Sequence, residues 1–526
     1  MGVPIEIREV ERPVNTVVID TGSSTNKRYV VRERSGITYI KNGNPQPHNG
    51  RVIGYIINHE FVPVRSKVAS NGADMLHYGT AALVKTVSND LYEDLLKVFS
   101  IGDATTIMAI ASLKVAKHGI KYSRLKGEYQ SSYISLYYPG AAISKNSVCS
   151  LLKDIGMDSS KRKDFYDLRF QRVKKDHHLA VDATLKEDSS KVNTLSDMSY
   201  KFRLKGVPDI SVLYCFDIED MDPVCSEVFP GNCIDAKAYP KFIKDNDIRK
   251  GILINDKGFP PDAIRKELKE RPDLHYLTPI KRDDKRIKEY NLLQMDQVVR
   301  GLDKRVLAKK CKTKEGTYLY AFKDVGASTH EAYSFIDAAI RKNSFNSDKY
   351  KEKEETFGVI VLESDYDMTV EEAYLSYESR WDIELVFKYY KSDIELSETN
   401  VQSDFSVIGS EFINFISTVI TCRILKKARK ARVLENSTYG DMLDDLSQVW
   451  RSSRCPIEES PSIDDEFWFS PIKKNNELMV SLGLAKSDKM PTKGKRGRPR
   501  KNPVETPEAV ETPKRKRGRP RKLALR

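Results

Sequence analysis

The sequence predicts a multidomain chain built around a mixed α/β sheet. Three observations support this fold class. Strand-like apolar runs lie at 178–182, 210–216 and 251–256, a helix candidate at 236–244 separates the last two, and a strand at 357–363 leads directly into a charged helix. The order strand, strand, helix, strand, helix is typical of a mixed sheet with helices packed against it. The 526 residues, 40% of them hydrophobic, are sufficient for several cores.

The elements before and after these strands complete the predicted organisation. Short strands separated by turns lie between 14 and 58, and helical periodicity dominates from about 78 to 174. The predicted segments are a β-rich module at 1–75, a helical region at 76–174, the first part of the sheet at 175–262, a charged, β-rich insertion at 263–356, the second part of the sheet at 357–485, and a disordered basic tail at 486–526.

One stretch of the helical region has the pattern of a helix-turn-helix element. It runs from Ile143 to Gly156, with Ser144 as the N-cap and Gly156 as the C-cap. The pattern fits a DNA-reading helix and an ordinary helical domain equally well. Both interpretations stay open at this point.

Other features exclude several protein classes. The most apolar helix candidate, 412–422, is too short and too often interrupted by polar residues to span a bilayer, so we predict a buried core helix and no membrane partner. Seven scattered cysteines without a C-x-x-C pair predict reduced thiols. The histidines form no zinc-ligand pattern, and His177-His178 is better explained as the entrance to a strand.

The net charge of +13 is concentrated in the tail. Residues 486–526 contain 16 Lys/Arg and 4 Asp/Glu, which gives +12 and leaves +1 for residues 1–485. The overall basicity is therefore a property of the tail, and any DNA contact made by the body must depend on local patches.

The helix that follows the strand at 357–363 carries a cluster of charged and polar side chains on one face. At 100° per residue, Tyr377, Arg380, Glu384 and Lys391 fall within an arc of about 60°. Thr369 and a glutamate three residues later form a capping-box pattern at the helix start. Taken alone, the face is also compatible with a solvated surface that carries an Arg/Glu pair.

Two aspartates end apolar strands in the predicted sheet. They are Asp182 and Asp256, and strand ends are where sites form in α/β sheets. With Glu384 from the charged helix they would form three clustered carboxylates, whose repulsion a divalent cation such as Mg²⁺ would relieve. Each aspartate taken alone also fits a simple turn-initiating role.

At this point the residues resemble a known family. The spacing Tyr377-x2-Arg380-x3-Glu384-x6-Lys391 is similar to the Y-R-E-K signature of cut-and-paste DDE transposases from bacterial insertion sequences. The segments 181–184 and 255–259 resemble the family's two aspartate segments, and 228–235 and 405–413 resemble further family segments. The resemblance covers roughly 15–450, with Ala183 where the family often has Gly and Asn400 where it often has Arg.

The resemblance implies an RNase H-like catalytic core and a role for each signature residue. It implies that Asp182, Asp256 and Glu384 are catalytic and bind Mg²⁺, with Mn²⁺ as the alternative, and that Tyr377, Arg380 and Lys391 bind DNA phosphates. The spacing 384 − 256 = 128 residues fits the β-rich insertion that the family places there. The implied partners are the terminal inverted repeats and target DNA, bound by a homodimer in the cytoplasm at the nucleoid, and the helical region would bind DNA.

The tail contains two near-identical basic motifs that are 21 residues apart. Both resemble AT-hooks, in which glycine permits close approach to the groove floor, proline keeps the chain extended and arginines enter the narrow minor groove of A·T tracts. A generic basic cluster or an address signal is the alternative. The predicted DNA-binding residues are Arg496, Gly497, Arg498 and Pro499 in the first motif, and Arg517, Gly518, Arg519 and Pro520 in the second.

These features predict a metal-dependent DNA transposase that cleaves and joins DNA strands. The alternative from a different class is a catalytically silent, A·T-rich-DNA-binding protein derived from a transposase. An RNase H-like nuclease without strand transfer also fits the carboxylates, but it explains the phosphate-binding helix and the DNA-binding N-terminal region less well.

Overall fold

The structure is a computed structural model. It describes residues 2–39, 45–63, 75–117, 119–188, 190, 192–199, 206–233, 235–254, 267–380, 399, 401–453, 468–472 and 474–485. The chain divides into two compact units, 1–486 and 487–526, and the second lies outside the described residues.

The chain begins with a small antiparallel β-sheet. After α1 (Ile5–Arg8), the strands β1 (Thr16–Asp20), β2 (Tyr29–Tyr39), β3 (Pro45–Ile57) and β4 (Glu60–Pro63) pair in sequence order. Ile7, Val18, Val31 and Ile56 form its core. The strands predicted between 14 and 58 are therefore present.

A helical region follows, as predicted. Its helices are α2 (Gly79–Val98), α3 (Ile101–Ala116), α4 (Leu125–Ser131), α5 (Ile134–Tyr137), α6 (Lys145–Met157) and α7 (Ser159–Phe170), with a short 3-10 helix at Tyr122–Arg124. The predicted N-cap of α6 is confirmed, because the Ser144 hydroxyl accepts a hydrogen bond from the Ser147 N–H at 3.2 Å. Before α2, the strand β5 (Met75–His77) pairs with β15 (Trp450–Ser452), which in turn pairs with β16 (Trp468–Phe469).

A mixed sheet forms the centre of the described chain. Its strands are β6 (His178–Glu187), β7 (Asp209–Asp217), β8 (Asp222–Pro230), β9 (Lys250–Ile254), β10 (Asp273–Pro279), β11 (Gln297–Val298), β12 (Val306–Lys312), β13 (Tyr318–Asp324) and β14 (Val359–Ser364). Their order is β11-β12-β13-β14-β10-β9-β6-β7-β8. The pairs β6/β9 and β9/β10 are parallel, and the other pairs are antiparallel. The helix α8 (Asp235–Asp245) connects β8 to β9. The predicted mixed α/β sheet is confirmed.

The segment predicted as an insertion, 263–356, contributes strands to this same sheet. Within it, β10 lies between β9 and β14, and β11 to β13 extend the sheet beyond β14. The helices α9 (Lys285–Glu289), α10 (Val325–Arg341) and α11 (Ser347–Glu354) complete the segment. In the part of the chain that the structure describes, β11 to β13 therefore enlarge the central sheet. They join it through β13, which pairs antiparallel with β14 from Tyr318 to Lys323.

The C-terminal part is helical, with α12 (Val370–Ser379), α13 (Asp404–Lys430), α14 (Tyr439–Ser447), a 3-10 helix at Val433–Glu435 and α15 (Lys474–Ser481). In the described residues, α13 alone has the length and apolar composition of a membrane span, but 83% of its most apolar window is buried inside the protein. The predicted core helix at 412–422 is thus the buried middle of the longer helix α13, which extends at both ends through more polar residues.

An ion-pair network joins the helical region to the sheet and to α13. Arg423 of α13 binds Asp90 of α2 at 2.6 Å and Asp222 of β8 at 3.0 Å. Arg172, just after α7, binds Asp94 of α2 at 2.5 Å. The pairs of Arg423 with Asp90 and Asp222 are partly buried and connect α13 to α2 and β8, whereas the Arg172–Asp94 pair lies within the helical region.

The prediction that Gly156 is the C-cap of α6 was wrong. The helix continues through Met157, and Asp158 caps it. Gly156 instead allows α6 and α13 to pack closely, because a Cβ at this position would overlap the carbonyl oxygen of Phe405. Gly409 of α13 has the reciprocal role against the carbonyl oxygen of Leu152.

We expect Gly409→Ala to lower the free energy of unfolding by about 1–3 kcal/mol, because the added methyl group must push two buried helices apart. The matched control is Gly127→Ala in α4, where an added Cβ meets nothing within 4 Å and helix propensity favours alanine by up to about 1 kcal/mol. Urea unfolding followed by circular dichroism measures both. Equal unfolding midpoints for the two variants would contradict close packing at Gly409.

Candidate active site

Asp182 lies on β6, two residues after Ala180. Ala180 pairs with Ile254, the last described residue of the parallel neighbour β9. The two strands pair from His178 opposite Ile252 to Ala180 opposite Ile254, whereas β6 continues beside β7 as far as Glu187. The prediction that Asp182 ends its strand was wrong, because β6 continues beside β7 to Glu187. The Asp182 carboxylate instead lies just beyond the last β6/β9 pair, at the carboxyl end of the parallel pairing, where α/β sheets form sites. It is partly buried, and its Oδ1 accepts a hydrogen bond from the Ala183 N–H at 2.8 Å.

The other two predicted metal ligands lie outside the described residues. Asp256 comes two positions after Ile254, the last residue of β9. Glu384 comes four positions after Arg380, the residue that follows α12 and precedes the undescribed segment 381–398. Lys391 and the eight AT-hook residues of the tail also lie outside the described part of the chain. Of the predicted site residues, the structure thus places Asp182, Tyr377 and Arg380.

The helix that carries Tyr377 begins as the sequence predicted. The Thr369 hydroxyl accepts a hydrogen bond from the Glu372 N–H at 3.1 Å, and the Glu372 carboxylate accepts one from the Thr369 N–H at 2.8 Å. This reciprocal capping box fixes the start of α12. The helical phase of Tyr377 and Arg380 follows from that start.

Tyr377 and Arg380 are packed together and are largely buried. Each is 8% exposed, and the Arg380 guanidinium carbon lies 5.6 Å from the centre of the Tyr377 ring. Tyr377 belongs to a core that also contains Ile252, Leu277 and Tyr374. Because of this packing, the two predicted phosphate ligands are held in fixed orientations, with little area on the outer surface.

A cavity of about 360 Å³ opens beside this pair. Its lining includes Tyr377, Arg380, Arg282, Asp324, Glu331 and Glu378, with Phe322 and Tyr374 as aromatic walls. Four of the lining charges are already paired: Arg282 makes a bidentate contact with Glu331 at 2.8 and 2.9 Å, and Lys304 binds Glu378 at 2.5 Å and Asp324 at 3.7 Å. Burial raises the pKa of the Tyr374 hydroxyl, so this wall stays uncharged at neutral pH.

Sequence reasoning missed a group of histidines and carboxylates at the other end of β6. His177 Nδ1 lies 2.7 Å from Asp217 Oδ2, and His178 Nδ1 lies 2.6 Å from Glu219 Oε1. Five residues separate His177 from Asp182, which is about 16 Å along a strand. The group is therefore distinct from the predicted carboxylate site. The predicted strand entrance at His177-His178 is confirmed, since β6 starts at His178.

Ligand atoms of His177, Asp217 and Glu219 lie within 4.8 Å of one another, so the group has the composition of a metal site. However, hydrogen bonds already occupy its oxygens: Asp217 Oδ1 accepts from the Asp220 N–H at 3.2 Å, and Glu219 Oε2 accepts from the His178 N–H at 2.8 Å. Burial raises the pKa of Asp217, although the hydrogen bond from His177 acts to lower it. Burial also acts to raise the pKa of Glu219. The hydrogen bonds from His178 lower it by more, so the pKa of Glu219 lies below its usual range.

Comparison with known proteins provides a family match. Residues 174–405 match the family model described as the transposase DDE domain. No curated protein matches the chain significantly. Among solved structures, the chain is similar to one titled "Cryo-EM structure of piggyBac transposase synaptic complex with hairpin DNA (SNHP)", with 9% sequence identity, 73% of this chain and 81% of that chain covered, and a TM-score of 0.37. A likeness at this TM-score carries no weight in the assignment.

The matched range includes every predicted site residue of the body. Asp182, Asp256, Tyr377, Arg380, Glu384 and Lys391 all lie between 174 and 405. The match to the transposase DDE domain supports a DDE transposase, a class of proteins that binds DNA and normally uses divalent metal ions.

Proposed function

We propose that this chain is a cut-and-paste DNA transposase of the bacterial insertion-sequence Y-R-E-K class. The observation that carries the proposal is the transposase DDE-domain match, which includes Asp182, Asp256 and Glu384. The proposed substrates are the terminal inverted repeats of an insertion sequence and its target DNA. A homodimer would hold the two element ends, and the site of action would be the nucleoid in the cytoplasm.

The topology of β6 to β10 supports an RNase H-like core within this proposal. Within the sheet these strands lie in the order β8-β7-β6-β9-β10. The strands β6, β7 and β8 are antiparallel neighbours, α8 connects β8 to β9 on the other side of β6, and β9 and β10 are parallel to β6. Asp182 is on the central strand of this set. In such a core, the segment after β9 would supply Asp256, and the helical segment after β14 would supply Glu384.

The partly buried Asp182 carboxylate fits a role as a metal ligand. It is a hard oxygen donor of the kind that Mg²⁺ prefers, and the Ala183 N–H fixes the orientation of one of its oxygens. We propose that Asp182, Asp256 and Glu384 hold Mg²⁺ or Mn²⁺. When bound, these ions supply Lewis-acid stabilisation of the attacking and leaving oxygens of a phosphodiester.

The proposed reaction has two steps. A water oxygen forms a bond to the phosphorus at the element end, the bond from phosphorus to the 3′ oxygen breaks, and the 3′ oxygen takes a proton. The freed 3′-OH then forms a bond to a second phosphorus, either in the opposite strand to give a hairpin or in target DNA, and an oxygen of that strand leaves. In this proposal Tyr377, Arg380 and Lys391 bind phosphates, and a phosphate reaches Tyr377 and Arg380 through the cavity that they line.

The test is an end-cleavage assay with DNA that carries the inverted repeats flanking the coding region. We expect nicking at the element end that requires Mg²⁺ or Mn²⁺, followed by joining of the 3′-OH. DNA binding without cleavage in either metal would support the catalytically silent A·T-rich-DNA-binding protein instead. Cleavage without any joined product would support the RNase H-like nuclease.

We also propose that the two tail motifs are AT-hooks that raise affinity for A·T-rich DNA. Deleting 486–526 removes 16 cationic side chains, so we expect weaker DNA binding and a salt dependence flatter by about 0.9 in log–log slope for each lost phosphate contact. Cleavage of a saturated element end should persist. Fluorescence anisotropy across a salt series measures the binding.

A charge-conserving variant separates AT-hooks from a generic basic cluster. Replacing Arg498 and Arg519 together by lysine keeps the charge but removes the planar guanidinium groups that enter the minor groove. We expect this variant to lose preference for A·T-rich over G·C-rich DNA. Unchanged preference would contradict AT-hooks, and loss of cleavage in the folded deletion variant would contradict the division of roles between body and tail.

A further inference from the structure

We propose that Ser376, His178 and Glu219 form a hydrogen-bonded relay that positions the carboxylate-bearing segments of the active site. The inference rests on the proposed function and assigns positioning residues to its reaction. The three side chains come from α12, from the first residue of β6 and from the segment after β7. No motif in the sequence connects them.

The geometry is that of a continuous chain of hydrogen bonds. Ser376 Oγ lies 2.9 Å from His178 Nε2, and His178 Nδ1 lies 2.6 Å from Glu219 Oε1. Because a carboxylate only accepts, Nδ1 donates to Glu219, and Nε2 in that tautomer accepts a hydrogen bond from the Ser376 hydroxyl. The His178 N–H donates to the second Glu219 oxygen at 2.8 Å. The ring is therefore fixed at both nitrogens, in one tautomer and one orientation.

The relay connects the two described segments that lead to the predicted metal ligands. His178 is four residues before Asp182 on β6, and Ser376 is eight residues before Glu384 in the sequence. The apolar face of α12 packs into the core through Val370, Ala373 and Tyr374, but apolar packing alone tolerates sliding of a helix along a sheet. A directional hydrogen bond from Ser376 to the start of β6 limits that sliding.

Burial explains why the relay keeps one geometry. Ser376 is 8% exposed and the His178 side chain is 13% exposed, whereas the Glu219 side chain is 38% exposed. Water therefore competes poorly for the Ser376–His178 bond, while the carboxylate remains hydrated and charged. Hydrogen bonds made directly to metal-binding side chains typically contribute about 10–100-fold to metal affinity or activity, and the relay, which acts through the backbone of the two segments, should contribute at the lower end of that range.

The same three residue types form nucleophilic triads in hydrolases, but the surroundings of Ser376 do not fit that role. Ser376 is the seventh residue of α12, so its N–H belongs to the intrahelical hydrogen-bond ladder. Oxyanion holes commonly use free backbone N–H groups beside the nucleophile, and within a helix such groups occur only in the first turn. Positioning is the role that the geometry supports.

The experiment compares Ser376→Ala with a matched control on the same helix, Ser379→Ala. Among the described residues, the Ser379 hydroxyl donates to the Ser376 carbonyl oxygen, at 2.9 Å and within the helix. End cleavage under single-turnover conditions is measured across a Mn²⁺ titration, together with thermal unfolding and affinity for the element end. We expect Ser376→Ala to raise the half-saturating Mn²⁺ concentration about 10-fold or more. Loss of one buried hydrogen bond should lower the melting temperature by only a few degrees, so the protein should stay folded in the assay. DNA affinity should be unchanged, and Ser379→Ala should behave as wild type.

Two further variants make the result decisive. Ser376→Thr keeps the hydroxyl and should restore the wild-type Mn²⁺ response, and Glu219→Gln should reproduce the Ser376→Ala defect because it weakens the fixation of His178. The relay is overturned if Ser376→Ala and Glu219→Gln both respond to Mn²⁺ within twofold of wild type. It is also overturned if Ser376→Ala loses activity only in proportion to a lowered melting temperature. Absence of cleavage by the wild-type protein would instead contradict the proposed function.

Discussion

Replacing Asp182 by asparagine is expected to reduce metal-dependent end cleavage at least about a thousandfold, with folding and DNA binding retained. Asparagine keeps the shape of the side chain and the acceptor for the Ala183 N–H, but it removes the charge that a divalent cation requires. Metal stabilisation of the reacting oxygens contributes several kcal/mol, and each 1.4 kcal/mol or so corresponds to a tenfold change in rate. Single-turnover cleavage of a labelled element end measures the loss.

The control for this substitution is Asp176→Asn, which removes the same charge from an exposed residue just before β6. It should cleave as wild type. Glu384→Gln should reproduce the Asp182→Asn loss if the two carboxylates share the metal ions. Wild-type cleavage by Asp182→Asn would remove Asp182 from the proposed site, and lost DNA binding in that variant would indicate a structural role instead.

The predicted elements agree with the structure where the signal is local. The strand runs at 178–182 and 210–216 are present, as is the described part, 251–254, of the run at 251–256, and the capping box at Thr369 starts α12 as predicted. Both signals depend only on neighbouring residues, namely β-branched apolar runs and a pair of side chains three positions apart. The same locality made the N-cap at Ser144 predictable.

Features that depend on distant partners could not be predicted. The Gly156 prediction failed because a glycine near a helix end has two uses, and the contact with Phe405 that decides between them comes from a helix some 250 residues away. Likewise, the segment 263–356, predicted as a charged, β-rich insertion, contains β10 to β13 but also α9 to α11, and only the pairing of β13 with β14 shows that its strands extend the central sheet. Strand order depends on long-range register, which the alternation of residues does not encode.

The Ser376, His178 and Glu219 contacts illustrate the same limit for the site. His177-His178 was predicted as a strand entrance; Asp217 ends the next strand, and Glu219 lies two residues after it. Their proximity would have followed from the antiparallel β6/β7 pairing, in which Leu179 lies opposite Asp217. The hydroxyl from α12 requires knowledge of how the helix packs on the sheet, and no sequence pattern provides it.

A buried cluster of two lysines and one glutamate, between β6, α3 and α13, was also missed. Lys186 Nζ lies 2.6 Å from Glu411 Oε1, and these side chains are 2% and 1% exposed. Lys114 of α3 is 6% exposed, and its ammonium group lies 4.7 Å from the centre of the Tyr122 ring. Among the described residues, no carboxylate forms an ion pair with Lys114. Burial, together with the charge of Lys186, lowers the pKa of Lys114 to about 7.

Lys114→Met is therefore expected to stabilise the protein at pH 6. In the unfolded chain this lysine has a pKa of 10.5, so between about 7 and 10.5 the unfolded state binds one more proton than the folded state. Wild-type stability should rise with pH across that window, and below pH 7 the folded state bears the full cost of a buried charge. The displaced pKa corresponds to at most about 5 kcal/mol. Urea unfolding at pH 6, 8 and 10 should show this gain in Lys114→Met at pH 6, and a flatter pH dependence than in wild type.

Lys186→Met, in the same cluster, should have the opposite effect. It leaves the Glu411 carboxylate buried without the ammonium group that neutralises it, and breaking a buried ion pair from one side typically costs about 3–5 kcal/mol. Lys114→Met and Lys186→Met make the same change in charge and volume. Comparing them distinguishes Lys186, which has an ion-pair partner, from Lys114, which has none among the described residues. Destabilisation by both would show that Lys114 also stabilises Glu411 as a charged partner. In that case the folded-state pKa of Lys114 would lie well above 7, and the pH dependence of Lys114→Met would match that of wild type.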